Sequence, residues 1–252
     1  MKIIDLSHVI ESSPQGIPDF LRTDVEYSDH ANGAEEYAKM FEIPKRLLRN
    51  EEGPAGERLN IGTHAATHVD APYHYNSEIQ GKPAETIDEL PLSQFYGPGV
   101  VIDASANDDG EAVTVEQIQK SLELSGHDLR GGDIVLIQTK RDQFYKEPDY
   151  MHRGCGVSPE ATRWLFEQGV RTMGIDAWGW DAPQRFQVEE ALEKDEPGIF
   201  WGAHQVDLPY SQIERLTNLD ALPATGFTVC CFPLKIKGAG AAPSRVVALI
   251  ED

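Results

Sequence analysis

No run in this chain approaches the roughly 18–20 consecutive apolar residues that a membrane-spanning helix needs, so no such helix is expected. The opening Met1-Lys-Ile-Ile-Asp-Leu-Ser-His meets an aspartate and a histidine before a secretion signal's apolar core could form. Positive charge is scarce: 22 Lys and Arg stand against 42 Asp and Glu, a net −20. Such a chain repels phosphate backbones and anionic lipid, which excludes nucleic acids and membrane surfaces as natural partners. Cysteine is scarcer still, with three residues, two of them adjacent (Cys230, Cys231). They make no disulfide framework, and a cytoplasmic location is the expectation. What is present suits a globular fold. The 252 residues are 40% hydrophobic and 25% charged, enough to bury a substantial core. The expected product is an acidic α/β protein acting on small molecules.

The segments alternate between strand and helix patterns, with no internal repeat and no linker. A single domain over 1–252 with a mixed sheet is expected. Ile3-Ile-Asp-Leu reads as an opening strand, and residues 11–58, polar with scattered Gly and Pro, as loops. Gly99-Val-Val-Ile-Asp and Gly131-Gly-Asp-Ile-Val-Leu-Ile-Gln-Thr read as buried strands. Thr114, with Gln117 three residues on, predicts a capping box, and Ser158-Pro159 predicts a second capped helix ending at Gly169. Residues 170–175, 227–236 and 245–250 read as further strands, the last two separated by Gly238-Ala-Gly-Ala-Ala.

The informative block is His64-Ala-Ala-Thr-His68-Val-Asp70-Ala-Pro72-Tyr-His74. Eight histidines scattered at random would place about a third of one in eleven residues, and this window holds three. Imidazole nitrogens and carboxylate oxygens are the donors that borderline divalent metals prefer. Val69 and Pro72 argue for an extended segment, in which residues 68 and 70 project to one face about 6.6 Å apart. His64 shares their parity but stands about 13 Å away along a straight strand. The chain must therefore curl between them, most easily at Ala65-Ala66. Pro72 turns the chain before His74, which is better placed as a base or acid beside a metal than as a ligand. Chance clustering on a polar loop explains any one histidine, but it explains the four-residue set poorly.

This block resembles the signature of the cyclase family of metal-dependent hydrolases, the group that holds bacterial kynurenine formamidase and isatin hydrolase. Its pattern His-x-Gly-Thr-His-x-Asp-x-Pro-x-His is matched at His64, Thr67, His68, Asp70, Pro72 and His74, with Ala66 in place of glycine. Ile4-Asp-Leu-Ser-His, the strand from Gly132, Gly174-Ile-Asp and the stretch from Glu214 to Pro223 are similar to further family features. The resemblance implies a swivelling β/β/α fold around a barrel-like sheet, in a homodimer or larger homo-oligomer. It implies that His64, His68 and Asp70 bind a divalent metal, zinc or manganese, and that His74 is the proton donor and acceptor. A second ion, shared through the aspartate in one branch, would fall to His204 and Glu214. If position 66 needs a positive φ, alanine there costs on the order of 1 kcal/mol. Ile17 stands where that branch carries an aromatic substrate contact.

These residues together point to metal-assisted hydrolysis of a cyclic amide, a lactone or an N-acyl compound. Phe20, Trp178, Trp180, Phe200 and Trp201 are candidates for an apolar pocket or for ordinary core packing. His152 belongs to a polar loop over 140–157, and Asp176 and Asp181 flank Trp178-Gly-Trp180 with no role assigned. Two other readings remain. His68-x-Asp70 with His204 spells the facial triad of non-haem iron oxygenases, with Arg215 available for a co-substrate. A non-catalytic metal-binding protein of the same fold would leave His74 without a task.

Overall fold

The computed structural model describes residues 1–13 and 22–251; Ile17 and Phe20 lie outside the described residues. In chain order the strands are β1 (Lys2–Asp5), β2 (Asp24–Ser28), β3 (Gly56–Asn60), β4 (His68–Asp70), β5 (Glu78–Ile79), β6 (Lys82–Pro83), β7 (Tyr96–Asp103), β8 (Ile134–Gln138), β9 (Thr172–Ile175), β10 (Ser211–Glu214), β11 (Phe227–Cys230), β12 (Ala241–Pro243) and β13 (Val247–Ile250). The helices are α1 (His30–Met40), α2 (Pro72–Tyr75), α3 (Val115–Ser125), α4 (Pro159–Glu167) and α5 (Gln184–Lys194). They form two compact units: Met1–Val9 with Ala66–Asp252, and Ile10–Ala65.

The larger unit is built on a curled, barrel-like nine-stranded sheet in the order β1-β13-β11-β7-β8-β9-β10-β4-β12. Its centre, β7-β8-β9-β10, is parallel, with α3, α4 and α5 in the successive crossovers. The flanking pairs are antiparallel. Every residue of β8, Ile-Val-Leu-Ile-Gln, is buried, as a strand covered on both faces requires. Successive side chains feed two cores. Val100, Ile102, Val135, Ile137, Met173 and Ile175 meet Ile118, Leu122 and Leu165 from α3 and α4. Val101, Ile134 and Leu136 join Val69, Ile213 and Phe95 on the other side.

Both predicted caps are present. The Thr114 side chain accepts from the Gln117 backbone N–H at 3.3 Å, and the Gln117 side chain accepts from the Thr114 N–H at 3.0 Å. Ser158 Oγ accepts from the Ala161 N–H at 3.1 Å, with Pro159 in the first turn of α4. The strand read over 227–236 ends at Cys230, so Cys231 lies beyond it; Pro233, which has no N–H to donate, bars a longer ladder.

The smaller unit corrects the reading of residues 11–58 as loops. It holds the β2–β3 antiparallel pair and the eleven-residue helix α1. Asp29 caps α1, its carboxylate accepting from the Asn32 N–H at 2.9 Å. These elements bury few apolar side chains, so they lack the periodicity that reveals helix and strand in a sequence.

Candidate metal centre

β4 is a three-residue strand held between β10 and the edge strand β12. Its parity decides everything around it. Val69, with Ile213 opposite, points into one core. His68 and Asp70 point the other way, paired in register with Glu214 and Gln212. Four polar side chains thus form a two-by-two block on one face, all of them buried. His68 Nε2 stands 3.3 Å from Asp70 Oδ1 and 3.6 Å from Glu214 Oε2. One donor atom from each of His68, Asp70 and Glu214 lies within 4.8 Å of the others. Two buried carboxylates this close repel each other unless positive charge lies between them.

The approach to β4 fixes the His68 ring. Ala66 sits at φ 51°, the left-handed conformation, so the turn falls in the Ala65-Ala66 pair where the chain was expected to curl. This turn aims the Ala66 carbonyl at His68 Nδ1, 2.9 Å away. A carbonyl only accepts, so Nδ1 carries the proton and Nε2 presents its lone pair toward the carboxylates. A lone pair aimed at two anions fits a cation held among them, and the donor set of imidazole and carboxylates fits a borderline divalent metal. Alanine pays here for a glycine conformation, at about 1 kcal/mol. Ala66→Gly is expected to raise the melting temperature by up to about 3 °C, read by thermal unfolding of the metal-free protein.

Thr67 ties the turn to the rest of the unit. Its hydroxyl donates to the Arg215 carbonyl at 2.5 Å and accepts the His8 N–H at 2.9 Å. The His8 ring stacks on Tyr145, centroids 3.6 Å apart and planes within 4°. Burial lowers the His8 pKa to about 4, opposed by Asp142 and aided by Arg215 and Lys146. Below about pH 6.5 the unfolded chain takes up a proton that the folded chain refuses. Stability therefore falls as the pH drops from 6.5 toward 4. His8→Phe keeps the stack and removes that proton; its melting temperature should fall less than wild type between pH 7 and pH 5.

A second histidine reaches the same carboxylate. His204 Nε2 stands 3.4 Å from Glu214 Oε1, and its Nδ1 meets Asp181 Oδ2 at 2.5 Å. Asp181 also accepts the backbone N–H groups of Ala203 and His204 at 2.8 and 2.9 Å. Burial alone would discharge His204, but hydrogen bonds to Asp181 and Glu214 reverse it and raise its pKa to about 10. Burial likewise opposes the Glu214 charge, and the His204 imidazolium outweighs it, holding Glu214 well below the usual carboxylate range. The Trp180 N–H adds a 2.9 Å hydrogen bond to Glu214. Asp181 stands out in the sequence only beside the tryptophans, with no role, and Gln212 carries no signal there. Only the fold brings Asp181 to His204, and only strand register brings Gln212 to Asp70.

His74 rides on α2, which Pro72 opens. One of its ring nitrogens lies within 4.8 Å of an Asp70 carboxylate oxygen. Its ring centroid is 6.0 Å from that of His204 and 5.3 Å from Trp201. The small-residue stretch makes this approach possible: a Cβ on Gly240 would stand 3.1 Å from His74 Cα. Trp201 stacks on His204 at 5.0 Å and 15°. Its backbone is in the left-handed region at φ 60°, uncommon for so bulky a residue, and its N–H donates to Gln187 Oε1 at 2.7 Å.

Trp178, Trp180, His152 and Asp176 go elsewhere. Trp178 lies under the Arg215 guanidinium, 3.7 Å from it, and Trp180 is core, its Nε1–H donating to Thr162 at 2.9 Å. Phe200 stacks on Trp201 at 6.3 Å. His152 is exposed. Asp176 pins the backbone after β8, accepting from Thr139 and Lys140 N–H groups at 2.6 and 2.9 Å. His64 belongs to the smaller unit, near its end, and is half-buried.

The Cyclase family model, described as "Putative cyclase", matches residues 4–182 of this chain, which include the whole histidine block. The chain belongs to the cyclase family. Among curated cyclase-family relatives, isatin hydrolase of Roseibium aggregatum is 27% identical over 225 residues, 83% of this chain and 81% of that protein. Kynurenine formamidase of Salinibacter ruber is 30% identical over 191 residues, 75% of this chain and 77% of that one. Among solved structures, isatin hydrolase A from Labrenzia aggregata bound to benzyl benzoate superposes with a TM-score of 0.76 at 27% identity, covering 100% of this chain and 94% of that chain. This cyclase-family protein is therefore a metal-dependent hydrolase. Membership decides against the oxygenase reading, and the arginine that reading needs lies over Trp178.

Proposed function

We propose that this hydrolase opens a C–N or C–O bond of a small carbonyl compound, a cyclic amide, lactone or N-acyl arylamine, with zinc or manganese as its cation. The observation that carries this is the His68 imidazole, its Nδ1 committed to a carbonyl and its Nε2 presented to Asp70 and Glu214 with His74 alongside. His68, Asp70 and Glu214 hold the cation, and His64 joins them on the strength of its place in the motif. His204, oriented by Asp181, would serve a second ion if one binds. When bound, such a cation supplies an acidified water and polarises the substrate carbonyl. His74 would accept the proton of the attacking water and donate it to the leaving nitrogen or oxygen. Trp201, stacked on His204 and tilted against His74, offers an aromatic wall beside the site for a planar substrate. The curated relatives are named for isatin and for a kynurenine formamide, which favours substrates of that kind.

The test is a hydrolysis panel of isatin-like lactams, formyl anilides and unsaturated lactones, with metal analysis of the protein as purified. At least one class should be cleaved, with activity lost to chelator and restored by zinc or manganese. Tight metal binding with no cleavage across the panel would instead favour a binding protein.

A further inference from the structure

The fourth member of the buried block has no task in the reaction above. Gln212 is fully buried, in register with Asp70 across the β4–β10 pair and two residues from Glu214 on the same face. Its amide orientation is fixed by a chain of hydrogen bonds. The Tyr210 hydroxyl donates to the Ala203 carbonyl at 2.8 Å, so its only proton is committed. It therefore accepts from Gln212 Nε2, 2.5 Å away. The amide nitrogen belongs on the Tyr210 side, and Oε1 lies on the opposite side. That oxygen is buried and has no hydrogen-bond partner among the described residues. A buried carbonyl oxygen left so costs about 1–3 kcal/mol, and native structures seldom carry one without an ion or water to satisfy it.

Building on the metal-centre reading, we propose that Gln212 Oε1 is a further oxygen donor to the cation held by His68, Asp70 and Glu214, directly or through one water. Tyr210 positions the amide, and Asp70 and Glu214 supply the charge that brings the ion within its reach. A neutral carboxamide oxygen adds a ligand without adding a third buried anion. It is a hard donor, so it favours manganese, which accepts more oxygen ligands, over zinc.

The test compares wild type with Gln212→Met, which keeps the volume and removes the oxygen, and Gln212→Glu, which keeps an oxygen. Manganese and zinc affinities are measured by chelator competition, and melting temperatures on chelator-treated protein. Gln212→Met should weaken manganese binding by about 10–100-fold and zinc binding by clearly less. Its chelator-treated form should melt no lower than wild type, since an unsatisfied oxygen has been removed. Gln212→Glu should hold manganese at least as tightly as wild type. The proposal is overturned if manganese affinity is unchanged in Gln212→Met. It also falls if the metal-free Gln212→Met protein melts well below wild type while Gln212→Glu fails to retain manganese, the pattern of a purely structural amide. Wild type that binds neither metal would overturn the metal-centre reading itself, a result distinct from either of these.

Discussion

Asp70→Asn should strip the protein of its metal. The residue is buried at the centre of the block, within 4.8 Å of donor atoms from His68 and Glu214 on one side and of His74 on the other. Asparagine keeps the shape and one oxygen but removes the charge that offsets a divalent cation's desolvation. Metal affinity is expected to fall by more than about 100-fold, beyond the usual loss on changing an outer-shell partner, and hydrolysis should fall with it. The stability of the metal-free protein gives an independent readout. Without a cation, Asp70 and Glu214 are like charges in a buried site, so chelator-treated Asp70→Asn should melt as high as chelator-treated wild type or higher. Metal-loaded wild type should exceed both. Stoichiometric metal in the variant, measured on untreated protein, would remove Asp70 from the ligand set.

His74→Ala should separate chemistry from binding. Its ring lies beside Asp70, yet α2 and Gly240, rather than a strand of the block, hold it there. The metal content is expected to survive while kcat falls by about 10²–10⁴-fold, the usual worth of a positioned acid–base group. The loss should depend on the leaving group. An amide nitrogen must be protonated to depart, so lactams and anilides should suffer most, whereas an activated aryl ester, whose phenolate leaves unaided, should suffer least. The limb of the pH–rate profile that rises as the imidazole loses its proton should flatten in the variant. Uniform loss across all leaving groups, with metal still bound, would instead make His74 a residue that shapes the pocket.

The sequence disclosed those parts of this molecule whose physics is local. Period two around Val69 placed His68 and Asp70 on one face, and β4 has that form. Thr114 with Gln117, and Ser158 with Pro159, announced α3 and α4 because a cap is chemistry within a few residues. Helix α5 escaped notice for the opposite reason: Pro183 precedes it without a side-chain cap, and Gln187 alone in it is buried. The left-handed turn at Ala66 was legible as a conditional, since only the backbone shows that an alanine occupies the conformation for which the family pattern keeps glycine. Asp181, Gln212 and the pairing of His68 with Glu214 were not legible. Each depends on which strands neighbour β4, and no local pattern encodes that.

The two strands of the block come from opposite ends of the larger unit's main segment, β4 near its start and β10 in its last third. During synthesis the first histidines emerge long before Glu214 exists, and alone they would make at most a loose chelate that many cations could visit. In the proposed centre the full donor set would form only when the late strand docks beside the early one. Cation choice is then set by finished geometry rather than by whichever ion met the nascent chain first. Metal loading in this protein should thus be a late, post-folding event, and mismetallation should be corrected by refolding.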